Sequence, residues 1–186
     1  RVQRHAPLFM EPRGFVAEWD AVTEKLTVWG ASKVAFVNRE ILAEAMGLSE
    51  RQIEMIELDV GGGFGSRGEF YPEDFLIPFA SRELNRPVKW IEDRREHLLC
   101  ANHAREIECD IEIAATEDGR ILGLRGESWS DNGAYIRTNG SVAPRNVAQF
   151  MSGPYDIENI RLTTHMLTTN KTPAGTYRAP GRFEAD

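Results

Sequence analysis

Asp59-Val60-Gly61-Gly62-Gly63-Phe64-Gly65-Ser66-Arg67-Gly68 is the most informative stretch of the sequence. Glycine loses more conformational entropy on folding than any other residue, so a run this dense marks a place where the backbone turns sharply or closely approaches a ligand. Three interpretations compete: a bare strand-to-helix turn, a dinucleotide-binding loop, and a loop whose backbone N–H groups contact a large anionic cofactor. In the third interpretation Phe64 would wall off one side of the site.

The dinucleotide interpretation uses Gly63, Gly65 and Gly68, which have the spacing G-x-G-x-x-G after a predicted strand. In that motif the helix begins inside the glycine run, so that its N-terminus faces the pyrophosphate. Here Tyr71 precedes a proline, which pushes it out of helical conformation and delays the helix. The dinucleotide interpretation is therefore disfavoured. A Walker-type phosphate loop is excluded, because Glu69 stands where lysine is required.

Hydrophobic periodicity predicts strands and helices on both sides of the glycine run. Gly47 is placed to end the first helix, Pro72 suits the first turn of the second, and Pro78 is expected to kink or split it. Asp118-Gly119 predicts a hairpin turn between antiparallel strands. The predicted fold class is therefore α/β (α+β mixed), with a mixed sheet and at least one antiparallel hairpin. The predicted strands are 15–20, 26–29, 53–58, 87–92, 107–113, 121–129 and 160–169, and the predicted helices are 36–46, 73–84 and 93–99.

Composition narrows the class of protein. The 186 residues are 41% hydrophobic and 27% charged, with a net charge of −7, which is ordinary for a globular domain. The basic residues are scattered, which argues against nucleic acid or an anionic membrane as a partner. No apolar stretch approaches the roughly 20 residues of a membrane span. The chain lacks an initiator Met and a signal peptide, and it stops without a helix cap, so both ends are interpreted as cuts.

The cysteines do not predict a disulfide framework or a metal site. There are only two, Cys100 and Cys109, and this usage favours a reducing, cytoplasmic compartment. With His97 and His103 they form a His-x2-Cys-x2-His-x5-Cys pattern that superficially resembles a zinc site. Because Cys109 falls on the apolar face of an alternating strand, we interpret it as a packing residue and predict no metal ligands.

A resemblance to a known family accounts for several motifs together. Residues 60–65, followed by Pro87-Val88-Lys89-Trp90-Ile91-Glu92-Asp93-Arg94-Arg95-Glu96, resemble the first molybdenum-binding region of the xanthine dehydrogenase/aldehyde oxidase family. The hairpin near Glu11-Pro12-Arg13-Gly14 fits, and Asn132-Gly133-Ala134-Tyr135 and residues 169–182 extend the match in the family's order. The resemblance implies that residues 1–186 are part of the first molybdenum cofactor-binding domain of a larger subunit.

The resemblance also implies roles for individual residues. Gly62, Gly63, Phe64 and Gly65 would line the molybdenum centre and its pterin dithiolene. Arg178, in the family's Tyr-Arg loop, would face the substrate. A guanidinium is always charged, so it suits a place where negative charge develops on the substrate during the reaction.

The sequence departs from the family at three places. Many members carry a glutamine after the second strand, where Ser32 or Lys33 would stand in as a cofactor contact. Gly68, with Glu69 beside it, occupies about the position of a substrate-binding glutamate in xanthine-oxidising members, which puts purine specificity in doubt. By the resemblance, Ala179 would lie beside the cofactor at the position where carbon monoxide dehydrogenases have a copper-binding cysteine, so a copper–molybdenum site is not expected.

By resemblance, the chain belongs to an oxidoreductase that hydroxylates an aldehyde or an N-heterocycle with water as the oxygen source. Electrons would leave through iron–sulfur clusters to FAD. Each such cluster needs about four cysteine ligands, so these cofactors are expected on partner subunits. The family's catalytic glutamate lies in later sequence, so the chain alone is expected to be inactive. The alternative from a different class is a non-catalytic binding or scaffold module that has kept the fold.

Overall fold

The structure is a computed structural model that describes residues 3–30 and 32–185, so the predicted cuts at Arg1, Val2 and Asp186 lie outside the described residues. The chain divides into two compact units, which are described separately. The glycine-loop unit is Leu8–Ala101, and the hairpin unit comprises residues 3–7 and 102–185. The elements are β1 (Gly14–Asp20), β2 (Lys25–Gly30), α1 (Ala35–Met46), β3 (Ile53–Ile56), α2 (Pro72–Leu84), β4 (Val88–Ile91), α3 (Arg94–Cys100), β5 (Ile107–Ala115), β6 (Ile121–Asp131), α4 (Val142–Phe150), β7 (Ile160–Leu167) and α5 (Arg182–Ala185).

The sheet of the glycine-loop unit has the strand order β3-β2-β1-β4. β1 and β2, both predicted as strands, form an antiparallel hairpin, and β1 also pairs antiparallel with β4. β2 and β3 are parallel, so the sheet is mixed, as predicted. Alternate side chains of the strands meet one side of α1, because successive residues of a strand face opposite sides of the sheet. The buried core is Phe15, Ala17, Leu26, Val28, Leu42, Ala43, Met46 and Ile53.

The helices of this unit begin and end where their capping residues predict. α1 stops at Gly47, whose φ of 65° is left-handed and whose N–H donates to Glu44 O at 3.2 Å. α2 begins at Pro72, and Tyr71 before it is extended, with φ −96° and ψ 162°. The helix therefore starts after the glycine run, and its N-terminus is not inside the run as a dinucleotide-binding loop requires. Pro78 does not split α2, which continues through it to Leu84.

The sheet of the hairpin unit has the order β5-β6-β7. β5 and β6 are antiparallel, and Gly119 turns the chain between them with a φ of 90°. β7 pairs parallel with β6, and α4 packs against both strands. The sequence reading missed α4, in which Pro144, Asn146 and Val147 are buried. No helix among the described residues is long and apolar enough to cross a membrane.

Candidate functional site

The glycine loop, residues 61–65, leads from β3 to a 3₁₀ turn at Ser66–Gly68. Gly62 and Gly65 have φ values of 100° and 102°, which glycine tolerates, whereas Phe64 has a left-handed φ of 48° that an aromatic residue rarely adopts. Residues 61–65 are exposed or half-buried, and residues 66–69 are buried. The loop is therefore an accessible backbone surface on a packed base.

The side chains of Arg67 and Glu11 hold this loop by hydrogen bonds to its backbone. Arg67 Nε donates to Gly62 O at 2.6 Å, and its Nη2 donates to Glu11 O and, at 3.3 Å, to Pro12 O. Glu11 Oε2 accepts from Gly61 N at 2.6 Å and lies 3.4 Å from Arg67 Nη2. Burial lowers the pKa of the Arg67 guanidinium, and the charge of Glu11 acts in the opposite direction.

The segment that carries Glu11 is itself anchored. The Arg67 guanidinium lies 4.5 Å from the centroid of Phe9, whose ring packs edge-on against His97. Arg94 Nη2 donates to Phe9 O at 2.6 Å and to Met10 O at 2.9 Å. Arg67 thus rests on a segment that α3 fixes independently.

A buried ion pair between Arg13 and Glu92 completes the anchor. Arg13 Nη2 donates to Glu92 Oε1 at 2.6 Å, and both side chains are almost inaccessible. Burial acts to raise the pKa of Glu92, but hydrogen bonds with His97 and Arg13 and the charge of Arg13 lower this pKa to about 2. His97 Nδ1 lies 3.1 Å from Glu92 Oε2, so His97, the first histidine of the zinc-like pattern, belongs to this buried hydrogen-bond network.

The arginine loop, residues 170–181, carries the second group of candidate residues, in the hairpin unit. Arg178 and Ala179 are exposed, and Ala179 has a left-handed φ of 51°. The buried side chain of Arg105 donates through Nη2 to Arg178 O. Its guanidinium also lies 5.0 Å from the ring centroid of Tyr177. The backbone beside Arg178 is therefore held from within the unit.

Glu184 ties the end of the same loop. Its Oε2 accepts from Gly181 N at 2.7 Å and lies 3.1 Å from Arg105 Nη1. Asn146, from α4, donates to Pro180 O at 2.9 Å. The helix that the sequence reading missed thus helps to support the candidate arginine loop.

The Asn132-Gly133 motif has a packing role beside this loop. Gly133 has a φ of 75°, and a Cβ built on it would lie 2.5 Å from Thr172 O and 2.7 Å from Pro173 Cα. Lys171 Nζ bonds Asp131 Oδ2 at 2.8 Å in the same region. Only glycine allows the two backbones to approach so closely.

The candidate replacements for the family's glutamine lie in the glycine-loop unit. Ser32 is buried, and its Oγ accepts a hydrogen bond from Asn38 Nδ2 at 3.0 Å. Lys33 is exposed, and its Cδ lies 3.9 Å from the position that a Cβ on Gly68 would take. The position next to Ser32, Ala31, lies outside the described residues.

The structure therefore distributes the predicted site residues over two units. Gly62, Gly63, Phe64, Gly65 and Ser32 lie in the glycine-loop unit, and Arg178 and Ala179 lie in the hairpin unit. Among the described residues, no cluster of three or more His, Cys, Asp or Glu side chains could hold a metal ion, and no disulfide joins Cys100 and Cys109. Sequence reasoning missed the residues that support both loops, which are Glu11, Arg67, Arg105 and Glu184.

Comparison with known proteins identifies the family. A model of the molybdopterin cofactor-binding domain matches residues 1–185. The chain belongs to this molybdopterin cofactor-binding domain family. The match confirms the family resemblance and the predicted cofactor.

Relatives show how much of a longer protein the chain represents. It is 40% identical to the 6-hydroxypseudooxynicotine dehydrogenase complex subunit gamma of Paenarthrobacter nicotinovorans, over 98% of this chain and 23% of that protein. It is 36% identical to the carbon monoxide dehydrogenase large chain of Hydrogenophaga pseudoflava, over 95% of this chain and 22% of that one. The chain spans less than a quarter of the length of these curated relatives.

A solved structure confirms the fold. The crystal structure of quinoline 2-oxidoreductase from Pseudomonas putida 86 superposes with a TM-score of 0.92 at 35% identity, covering 97% of this chain and 23% of that one. The mixed α/β architecture predicted from the sequence is thus a molybdopterin-binding architecture.

Proposed function

We propose that this chain supplies one wall of the molybdenum centre in a larger oxidoreductase, as part of the first cofactor-binding domain of its large subunit. The observation that carries the proposal is the glycine loop. Glu11 and Arg67 hold its backbone by hydrogen bonds, and residues 61–65 remain exposed or half-buried. Such a surface is available to a ligand without rearrangement of the unit.

The residues present fit a molybdenum–pterin cofactor. The pterin dithiolene is large and anionic, and a glycine loop with positive φ at Gly62 and Gly65 leaves backbone N–H groups that can face an anion. A side chain on Gly62 would also meet Phe9, whose Cβ lies 3.1 Å from the ideal Cβ position. Gly62, Gly63 and Gly65 would hold the cofactor, and Phe64, which is 40% exposed, would cover one side of it.

Arg178 would act on the substrate rather than on the cofactor. When bound, the cofactor supplies the two-electron oxidation that hydroxylates a substrate carbon with oxygen from water. The Arg178 guanidinium would stabilise negative charge that develops on a substrate oxygen or ring nitrogen. Ala179 beside it offers no ligand atom, so copper has no part in the proposal. Ser32 would take the place of the family's glutamine, with its hydroxyl as a hydrogen-bonding group near the cofactor.

An N-heteroaromatic compound is the proposed substrate, with an aldehyde as the alternative. The support comes from relatives named for such compounds, among them nicotine 6-hydroxylase of Paenarthrobacter nicotinovorans at 37% identity and the quinoline oxidoreductase. One relative is named as a subunit of a complex. We therefore propose partner subunits that carry iron–sulfur clusters and FAD, in a reducing cytoplasm, which two cysteines not joined by a disulfide favour.

The test is a turnover assay of the assembled enzyme on matched panels of pyridines, quinolines, purines and aldehydes, together with molybdenum analysis. Molybdenum at one atom per large subunit and turnover of the pyridines or quinolines are expected. Bound molybdenum with no turnover on any panel would contradict the hydroxylase, and a protein without molybdenum would favour a binding or scaffold module.

A further inference from the structure

Two buried arginines support the two candidate loops in the same way, each within its own unit. Each arginine donates to a backbone carbonyl of its loop and forms an ion pair with a glutamate. Each glutamate in turn accepts from the N–H of a loop glycine. In the glycine loop, Arg67 donates to Gly62 O and pairs with Glu11, which accepts from Gly61 N. In the arginine loop, Arg105 donates to Arg178 O and pairs with Glu184, which accepts from Gly181 N.

Both supported loops contain a non-glycine residue in left-handed conformation. Phe64 has a φ of 48° and Ala179 a φ of 51°. Such backbone persists only where the surrounding contacts over-determine it, and it is concentrated at functional sites. Phe64 and Ala179 are also the two exposed non-glycine residues among the candidates for lining the cofactor.

The buried ion pair between Arg13 and Glu92 differs from the pair between Arg67 and Glu11 in where the arginine donates. Arg13 directs its donors mainly at the carboxylate of Glu92, and both side chains are buried. Arg67 instead directs its donors mainly at backbone carbonyls, and the side chain of its partner Glu11 is 50% exposed. Burying a guanidinium disfavours its charge, so its donors must be used, and here they are used on loop backbone.

We propose that Arg67 and Arg105 are positioning residues: with Glu11 and Glu184 they clamp the glycine loop and the arginine loop in the conformations that the cofactor and substrate require. This inference rests on the proposed function, because the loops matter for catalysis only if they line the molybdenum site. Aromatic rings hold each guanidinium in place, Phe9 at 4.5 Å and Phe183 at 4.5 Å.

The experiment compares Arg67→Gln and Arg105→Gln in the assembled enzyme, with hydrogen–deuterium exchange of the backbone as the first readout. Hydrogen bonds from a charged donor are strong, so their loss should speed exchange by about tenfold or more. The acceleration is expected at residues 61–65 in Arg67→Gln and at 176–181 in Arg105→Gln. Turnover should fall at least tenfold in both variants, and Arg67→Lys should restore only part of it, because an ammonium cannot reproduce the forked donation.

Arg82→Gln is the matched control, because Arg82 also donates to a backbone carbonyl, Met46 O at 3.0 Å, and lies over Trp19, but touches neither loop. It should leave loop exchange and turnover unchanged. If an arginine variant fails to fold, Glu11→Gln replaces it, since that glutamate is half-exposed. Unchanged loop exchange in the clamp variants, or equal acceleration by Arg82→Gln, overturns the proposal. A wild-type enzyme without molybdenum would instead overturn the proposed function, and loop exchange would still decide whether the clamps exist.

Discussion

Replacement of Glu92 by glutamine should make the stability of the chain less dependent on pH. The pKa of Glu92 is lowered from an ordinary 4.5 to about 2 in the folded protein. At about 1.4 kcal/mol per pKa unit, this shift corresponds to about 3 kcal/mol of the free energy of unfolding at neutral pH. Because the folded pKa is depressed, the contribution is complete above the unfolded pKa. It is lost progressively as the pH falls from about 5 to 2.

Urea unfolding followed by tryptophan fluorescence measures this effect, since Trp19, Trp29 and Trp90 all lie in the glycine-loop unit. Glu92→Gln should be less stable than wild type by about 3 kcal/mol at pH 7, since it leaves the buried Arg13 without its main carboxylate. The difference should shrink by about 2 kcal/mol at pH 3. The control is Glu50→Gln, which removes the exposed pair with Arg39 and should change stability by less than about 1 kcal/mol. A wild-type–variant difference that is the same at both pH values would refute this reasoning.

Three further predictions concern the candidate site. Arg178→Ala in the assembled enzyme should lower kcat by roughly 10²–10³-fold with unchanged molybdenum content, and a loss below twofold would make Arg178 merely structural. Gly62→Ala should reduce molybdenum content, because Gly62 has a φ of 100° and lies against Phe9. The control is Gly47→Ala, which has a φ of 65° and open space around its Cβ position, and it should lower only thermal stability. The 186-residue chain purified alone should contain far less than one molybdenum per chain, since one loop buries too little of a large anionic cofactor; stoichiometric metal would show that this wall suffices.

The parts of the fold that could be predicted are those with local causes. Short apolar runs predicted β1 and β2, alternation of hydrophobic residues predicted β5, and the Asp118-Gly119 turn predicted the return along β6. Gly47 and Pro72 marked helix ends, because a capping residue acts within a few positions of itself. α4 was not predicted because it has only nine residues and two of its three buried residues, Pro144 and Asn146, are not large hydrophobic side chains. Its packing against β6 and β7 is tertiary. Likewise, the parallel pairings of β2 with β3 and of β6 with β7 depend on tertiary arrangement, which no local pattern encodes.

In the candidate site, too, features with local causes could be predicted and features that depend on tertiary contacts could not. A glycine run is visible in sequence because left-handed backbone requires a residue without a Cβ. The groups that hold the run in place carry no such signature: Glu11 lies 56 positions before Arg67, and Arg105 lies 79 positions before Glu184. Folding is what brings Glu11 and Arg105 to their loops, whereas Arg67 and Glu184 lie only five positions after Gly62 and three after Gly181. The separation has a physical consequence, because a loop held by distant groups keeps its shape only while its unit is folded. We therefore expect the conformation of each loop to be coupled to the stability of its own unit, with Glu11 and Arg105 as the points of coupling.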